Sequence, residues 1–135
     1  MESNLERFGR PTGQPRVSIV VLNYNGAGWL PKCFASIKTQ SIADQIETIL
    51  VDNNSSDDSL AVARGLLADF PMAVIVKNSK NLGFCEGNNT GARVAQGQYL
   101  LFLNSDTWLE PDCIQLLLDG TEKAGAVAST PDELN

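Results

Sequence analysis

The stretch VSIVVLNYNG, residues 17–26, joins an unbroken apolar run to a polar end that contains two asparagines and a glycine. Val, Ile and Leu at consecutive positions are typical of a strand buried on both faces, as in a parallel sheet covered by helices. The residues after Leu22 favour a turn. From Trp29 the apolar positions recur at helical spacing to about Thr39, so the sequence predicts a strand, a loop and a helix in this order.

The same unit recurs along the chain. Further strands are predicted at residues 46–51, 72–76 and 98–103, and the apolar run at the last of these also indicates burial on both faces. Helices are predicted after the capping-box pattern of Ser55 and Asp58, in a short segment that ends near Gln96, and from Pro111 onward. Alternating strands and helices predict a Rossmann-like, three-layer α/β/α fold with a mainly parallel sheet.

The two ends of the chain carry weaker patterns. Residues 1–16 contain two prolines, two glycines and mixed charge, which indicates a mobile lead-in. Residues 17–135 are interpreted as one domain, and the segment from Gly125 onward as a fifth short strand or a loop.

Composition excludes several classes of function. Lysine and arginine number 10 against 16 aspartates and glutamates, so a net charge of −6 gives no general electrostatic reason to bind nucleic acid. The absence of histidine excludes histidine general bases and histidine metal ligands. Three widely spaced cysteines favour a reducing compartment, and hence a cytoplasmic location. No apolar run reaches the length of a membrane span.

Polar residues follow the first, second and fourth predicted strands directly, and a polar loop that contains glycines follows the third. In an open parallel sheet the carboxyl ends of the strands meet at one edge, where ligands bind. We therefore expect a shared site at this edge. Its candidate residues are Asn23, Tyr24, Asn25, Asp52, Asn53, Asn54, Asn81, Gly83, Phe84, Asn104, Ser105 and Asp106.

Two carboxylates in this set suggest chemistry. Asp52 can accept hydrogen bonds from a ring imide or a ribose hydroxyl. Asp106 can ligate Mg²⁺ or Mn²⁺, which take their remaining ligands from water and phosphate oxygens. An alternative is a nicotinamide dinucleotide site built on Gly26, Gly28 and Asp52, but Pro31 stands where the third glycine of GxGxxG belongs.

Four segments together resemble the family 2 glycosyltransferases, which have the GT-A fold. The segments are VSIVVLNYNG, ILVDNNSSDDS, NLGFCEGNNTGARVA and YLLFLNSDTWLEPD, and they occur in the family's order from Val17 to about Leu118. The loop NLGFCEGNN is most similar to the branch that includes rhamnosyltransferases and other enzymes of cell-surface polysaccharide synthesis.

The resemblance implies an enzyme that transfers a sugar from a nucleoside diphosphate to a saccharide or lipid-linked acceptor, with a divalent cation as cofactor. It implies that Asp52 holds the base or ribose and that Asp106 binds the metal on the diphosphate. Asn104 stands where the DxD motif has its first aspartate, so metal binding is expected to be weaker than the motif suggests. The other candidates would line the nucleotide: Asn23, Tyr24, Asn25, Asn53, Asn54, Asn81, Gly83, Phe84 and Ser105.

Length is the main departure from the family. Its members continue into an acceptor-binding half that carries the catalytic carboxylate, whereas this chain stops at Asn135. The sequence therefore predicts a truncated chain, the donor-binding half of a glycosyltransferase. It is also compatible with a homo-oligomer. Two other hypotheses stay open at this point: a non-catalytic nucleotide-binding or interaction module of the same fold, and a nicotinamide-dependent oxidoreductase.

Overall fold

The computed structural model describes residues 4–10 and 13–125. Within these ranges the chain forms five strands and four α-helices. In chain order they are β1 (Leu5–Gly9), β2 (Val17–Asn23), α1 (Leu30–Lys38), β3 (Ile46–Asp52), α2 (Ser59–Leu67), β4 (Met72–Lys77), α3 (Gly83–Val94), β5 (Tyr99–Asn104) and α4 (Cys113–Ala124). The strand or loop predicted beyond Gly125 lies outside the described residues.

The strands form one sheet in the order β1-β4-β3-β2-β5. Strand β2 pairs in parallel with β3 and β5, and β3 pairs in parallel with β4. The predicted α/β architecture with a mainly parallel sheet is confirmed. Because Asn23 is in register with Asp52, the carboxyl ends of β2 and β3 lie side by side. Among the described residues, no helix is long and apolar enough to cross a bilayer.

Strand β1 lies in the segment that was predicted to be a mobile lead-in. It runs antiparallel to β4, from Leu5 opposite Val76 to Gly9 opposite Met72. Its sequence, LERFG, is short and charged, which is typical of an edge strand. The segment was not predicted as a strand because it lacks an apolar run. Glu6 is anchored by Arg64 of α2, whose Nε lies 2.8 Å from Glu6 Oε1.

Two apolar cores cover the two faces of the sheet. Alternate residues of β2 point to opposite faces, which explains why its apolar run is unbroken. The larger core packs residues of β2 such as Ile19 against α1, α2 and α4, and the smaller core packs Val20 and β3 residues against the end of α3. Helix α3 approaches closely because of its glycines, and a Cβ at Gly91 would lie only 2.4 Å from Val20 Cγ1.

Strand β5 departs from its prediction. Leu100 and Phe102 are 46% and 48% exposed, whereas Leu101 and Leu103 pack on the larger core. The prediction that this strand is buried on both faces is therefore wrong for the described residues. The physical reason is that β5 lies at the edge of the sheet, and α3 packs on β2 and β3 instead. An apolar run does not reveal which strand is at the edge.

Helix boundaries also differ in part from the predictions. Helix α2 begins at Ser59, and the Ser55–Asp58 capping box does not form because the Ser55 hydroxyl donates to Asp52 Oδ1 at 2.7 Å. Helix α3 begins at Gly83, so it includes much of the segment that was expected to be a loop. Helix α4 begins at Cys113, two residues after Pro111.

Candidate functional site

A cavity of about 430 Å³ opens at the carboxyl ends of β2, β3 and β5. This is the edge at which the sequence predicted a ligand site, and most of the candidate residues line the cavity. The lining consists of Leu22, Tyr24, Asn25, Gly26, Trp29, Asn53, Asn81, Gly83, Phe84, Asn104, Ser105 and Asp106. Among the predicted candidates, Asn23, Asp52 and Asn54 are not in this lining.

Asp52 is turned away from the cavity. Its side chain is 1% exposed, Oδ1 accepts hydrogen bonds from Asn23 Nδ2 at 3.2 Å and Ser55 Oγ at 2.7 Å, and Oδ2 accepts one from the Ser55 amide at 2.9 Å. The family resemblance implied that this carboxylate holds the base or ribose. Its position does not support that role, because its oxygens are used to hold the loop that follows β3.

Asn23 lies beneath the cavity floor and is fully buried. Its Nδ2 donates to Asp52 and to Ser55 Oγ, but its Oδ1 accepts no hydrogen bond from any of the described residues. A Cβ at Gly26 would lie 2.4 Å from this oxygen and 3.0 Å from Ser105 Oγ. Gly26 therefore allows the loops after β2 and β5 to approach each other under the cavity.

The loop after β2 is tied to the loop after β3. Asn25 has a left-handed φ of 52°, and its Oδ1 accepts hydrogen bonds from the amides of Ser56 at 2.7 Å and Asp57 at 3.3 Å. In return, the Ala27 amide donates to Asp57 Oδ2 at 3.1 Å. These bonds within the chain fix one wall of the cavity.

The hydroxyl of Ser59, together with the Ala27 amide, lowers the pKa of the Asp57 carboxyl. Asn54, with a φ of 65°, turns the chain here.

Asn53 connects the end of β3 to the start of α3. Its Nδ2 donates to the Gly83 carbonyl at 3.1 Å, and its Oδ1 accepts from Asn78 Nδ2 at 2.9 Å. Asn81 Oδ1 accepts from the Gly83 amide at 2.8 Å, where Gly83 adopts a left-handed φ of 80°. This arrangement places the exposed ring of Phe84 at the rim of the cavity.

Of the three carboxylates in the loop after β5, Asp106 is the one that lines the cavity, and it is exposed. The described residues contain no group of three or more histidine, cysteine, aspartate or glutamate side chains that could enclose a metal. One carboxylate suits Mg²⁺ or Mn²⁺ only when phosphate and water supply the other ligands. The donor set therefore fits a cation shared with a diphosphate, which Asp106 would hold.

Cys33 lies near this loop but does not add a metal ligand. Burial, and to a smaller extent the negative charge of Asp106, raises the pKa of the Cys33 thiol to about 12. The thiol therefore stays protonated at neutral pH, and a thiol is a poor ligand for a hard cation. Cys33 is a fully buried residue of the larger core.

The predicted site residues include two aromatic ones, Tyr24 and Phe84, but neither tryptophan. Trp29 was interpreted only as the start of a helix, yet it lines the cavity and is 55% exposed. Close by, the Lys32 ammonium lies 3.4 Å from the ring centroid of Trp108. The signal in the sequence is the position of each tryptophan, close to a polar segment that follows a predicted strand, because indole rings are common at binding surfaces. Arg93, the cationic residue of α3, lies 3.5 Å from Glu86 and does not line the cavity.

Comparison with known proteins assigns the chain to a family. The model of "Glycosyl transferase family 2" matches residues 18–132. Chondroitin synthase of Escherichia coli is 35% identical over 109 residues, which are 81% of this chain and 16% of that protein. This chain thus spans about a sixth of the length of that relative.

Solved structures have the same fold. The mannosyltransferase PcManGT from Pyrobaculum calidifontis, in complex with GDP-Man and Mn²⁺, matches with a TM-score of 0.72 and 25% identity, over 84% of this chain and 34% of that one. S. aureus TarS 1-349, in complex with UDP-GlcNAc, matches with a TM-score of 0.70 and 20% identity, over 80% of this chain and 31% of that one. The expected GT-A fold is confirmed, and the chain belongs to glycosyl transferase family 2.

Proposed function

We propose that this chain forms the donor-binding part of a glycosyltransferase that transfers a sugar from a nucleoside diphosphate to an acceptor hydroxyl in polysaccharide synthesis. The observation that carries the proposal is the cavity of about 430 Å³, whose lining includes four asparagine side chains and one carboxylate, that of Asp106 after β5. Similarity to a chondroitin synthase supports a role in polysaccharide synthesis.

The cavity has two chemically different ends. Asn53 and Asn81 offer neutral donors and acceptors beside the exposed ring of Phe84, which suits a base and ribose. Asp106 lies at the other end, where its charge would repel a diphosphate in the absence of a cation. We therefore place the base near Phe84 and the diphosphate near Asp106. A divalent cation on Asp106 would neutralise the diphosphate as it departs.

In the proposed reaction the acceptor oxygen attacks the anomeric carbon of the sugar. The bond from that carbon to the diphosphate oxygen breaks, and the hydroxyl proton passes to a base. Asp106 is the one carboxylate in the described lining, and it is already assigned to the cation on the diphosphate in this proposal. We therefore propose that the base, and with it the acceptor-binding half, lies outside the described residues. Transfer of a hexosyl or a rhamnosyl group, like a cytoplasmic location, stays a prediction.

The experiment is thermal unfolding with UDP, GDP and dTDP, each with and without Mn²⁺. A ligand at ~100 times its dissociation constant adds roughly 2.7 kcal/mol to the stability of a two-state domain. We expect one nucleoside diphosphate to stabilise the chain in a Mn²⁺-dependent manner. Asp106→Ala should abolish the Mn²⁺-dependent part, whereas Asp44→Ala, an exposed carboxylate before β3 at the opposite edge of the sheet, should keep it.

Two other hypotheses are tested by the same measurements. A nicotinamide oxidoreductase would need Asp52 for a ribose, but that carboxylate already accepts three hydrogen bonds from Asn23 and Ser55. Stabilisation by NAD alone would overturn the glycosyltransferase proposal. A non-catalytic module would bind the nucleoside diphosphate equally well, so sugar transfer to an acceptor must be assayed with the longest available form of the protein. Nucleotide binding without transfer in that form would favour the module.

A further inference from the structure

Exposed aromatic side chains concentrate around the cavity. Tyr24, Trp29 and Phe84 line it and are more than half exposed, and Trp108 follows Asp106 by two residues and is 51% exposed. Large aromatic rings are costly to leave in water, and they are common where a ligand or partner covers them. The two tryptophans have no assigned role in the binding of the base or the diphosphate.

The two tryptophans belong to the α1 face of the sheet. Trp29 immediately precedes α1, and Lys32, in the first turn of α1, places its ammonium 3.4 Å from the ring centroid of Trp108. This cation–π contact holds the Trp108 ring against α1 while about half of the side chain stays open to solvent. Phe84 belongs to α3, which covers the opposite face of the sheet.

We propose that Trp29 and Trp108 form a pyranose-binding rim beside Asp106. The inference rests on the proposed function, because it uses the order of groups in a nucleotide sugar: base, ribose, diphosphate, sugar. With the base near Phe84 on the α3 side and the diphosphate at Asp106, the next ring lies toward α1. A pyranose presents a face of C–H groups that packs on an indole ring, and its hydroxyls find amides and hydroxyls such as those of Asn25 and Ser105.

The pyranose can come from two sources: the sugar of the donor itself or the terminal sugar of an acceptor. Both have the same ring chemistry. A donor sugar is covalently attached to the diphosphate, so it would add to the affinity of the nucleotide. An acceptor sugar would bind as a free glycoside, and it would do so best when the nucleoside diphosphate is already present.

Tryptophan fluorescence is a direct readout, because Trp29 and Trp108 are the two tryptophans of the whole sequence. In the presence of Mn²⁺, we would titrate the chain first with the diphosphates UDP, GDP and dTDP. The nucleotide sugars UDP-N-acetylglucosamine, GDP-mannose and dTDP-rhamnose would follow. Methyl glycosides of glucose, N-acetylglucosamine, mannose and rhamnose follow, in the presence of the diphosphate that binds. A fluorescence change greater for a nucleotide sugar than for its diphosphate identifies the donor sugar, and a change on adding a glycoside identifies the acceptor.

Variants test the rim separately from the nucleotide site. Trp29→Leu and Trp108→Leu should weaken binding of the responding sugar roughly three- to tenfold by calorimetry, while the Kd of the diphosphate changes less than twofold. Trp29→Phe and Trp108→Phe should recover part of the loss because they keep a ring. Leu116→Ala, at an exposed apolar residue of α4 outside the cavity, is the control and should change neither affinity.

Three outcomes overturn the inference. In the first, the diphosphate binds but none of the sugars changes the fluorescence. In the second, the leucine variants bind the sugar as tightly as the natural chain. In the third, they lose diphosphate affinity, which would place the base on the tryptophans. In the first two outcomes the proposed function stands, provided that diphosphate binding depends on Asp106. If no nucleoside diphosphate binds at all, the proposed function itself fails.

Discussion

Two aspartates lie at the carboxyl ends of β3 and β5, the two strands on either side of β2, and have opposite surroundings. Asp52 ends β3, is 1% exposed and accepts hydrogen bonds from two side chains and one amide. Asp106 follows β5, is exposed, and accepts no hydrogen bond from the described residues. We call residues 53–58, after β3, the closed loop, because the Asp52 carboxylate holds it in place. We call residues 105–112, after β5, the open loop, because the carboxylate of Asp106 is free for a ligand. A carboxylate at a strand end is therefore a weak indicator of a binding site until its partners are known.

The largest effect is expected from opening the closed loop. Asp52→Ala removes the acceptor of Asn23 Nδ2, which is buried, and of both the amide and the hydroxyl of Ser55, which is partly buried. Leaving buried donors unpaired costs about 1–3 kcal/mol each, so we expect a loss of roughly 3 kcal/mol in the free energy of unfolding, measured in urea. A loss below about 1 kcal/mol would contradict the assigned structural role.

Gly26 tests the contact between the loop after β2 and the open loop after β5. Gly26→Ala would place a methyl group 2.4 Å from Asn23 Oδ1 and 3.0 Å from Ser105 Oγ, and we expect a cost of about 1–3 kcal/mol in urea unfolding. Gly28→Ala is the matched control in the same loop, because a Cβ there meets nothing within 4 Å. Equal stability of the two variants would show that the loops do not pack together as described.

The carboxyl of Asp57, in the closed loop after β3, should make the free energy of unfolding depend slightly on pH in the acid range. The Ser59 hydroxyl and the Ala27 amide hold the pKa of Asp57 below its usual range. A lowered folded-state pKa contributes stability that is present above the unfolded pKa of about 4 and is lost as the pH falls through the lowered value. Asp57→Asn should therefore reduce the loss of stability between about pH 5 and about pH 3, the range around the unfolded pKa. An unchanged pH profile of the unfolding midpoint would argue against these hydrogen bonds.

The smallest effect on stability is expected at the open loop. Asp106→Ala removes an exposed side chain, so the free energy of unfolding without ligand should change by less than about 0.5 kcal/mol. The comparison with Asp52→Ala uses the same urea titration. A loss as large as that of Asp52→Ala would mean that Asp106 also holds the fold, and the contrast between the two aspartates would disappear.

Much of the site could be located from the sequence, but its details could not. Polar residues after apolar strands predicted the edge, and Asn53, Asn81 and Ser105 do line the cavity there. The inward orientation of Asp52 depends on Asn23, 29 residues earlier, and no local pattern encodes that pairing. Trp29 was missed because it was predicted to begin a helix, where an apolar residue is expected to be buried, whereas it precedes α1 and stays exposed.

The sequence alone determined the alternation of strands and helices, the parallel sheet and the edge at which polar groups gather. These follow from the periodicity of apolar residues, which is a local property of the chain. Only the tertiary structure decided that β5 is a half-exposed edge strand, that LERFG joins the sheet as β1, and that Asp106 rather than Asp52 faces the cavity. These features depend on which distant residues become neighbours, because burial and hydrogen bonding are properties of the packed chain.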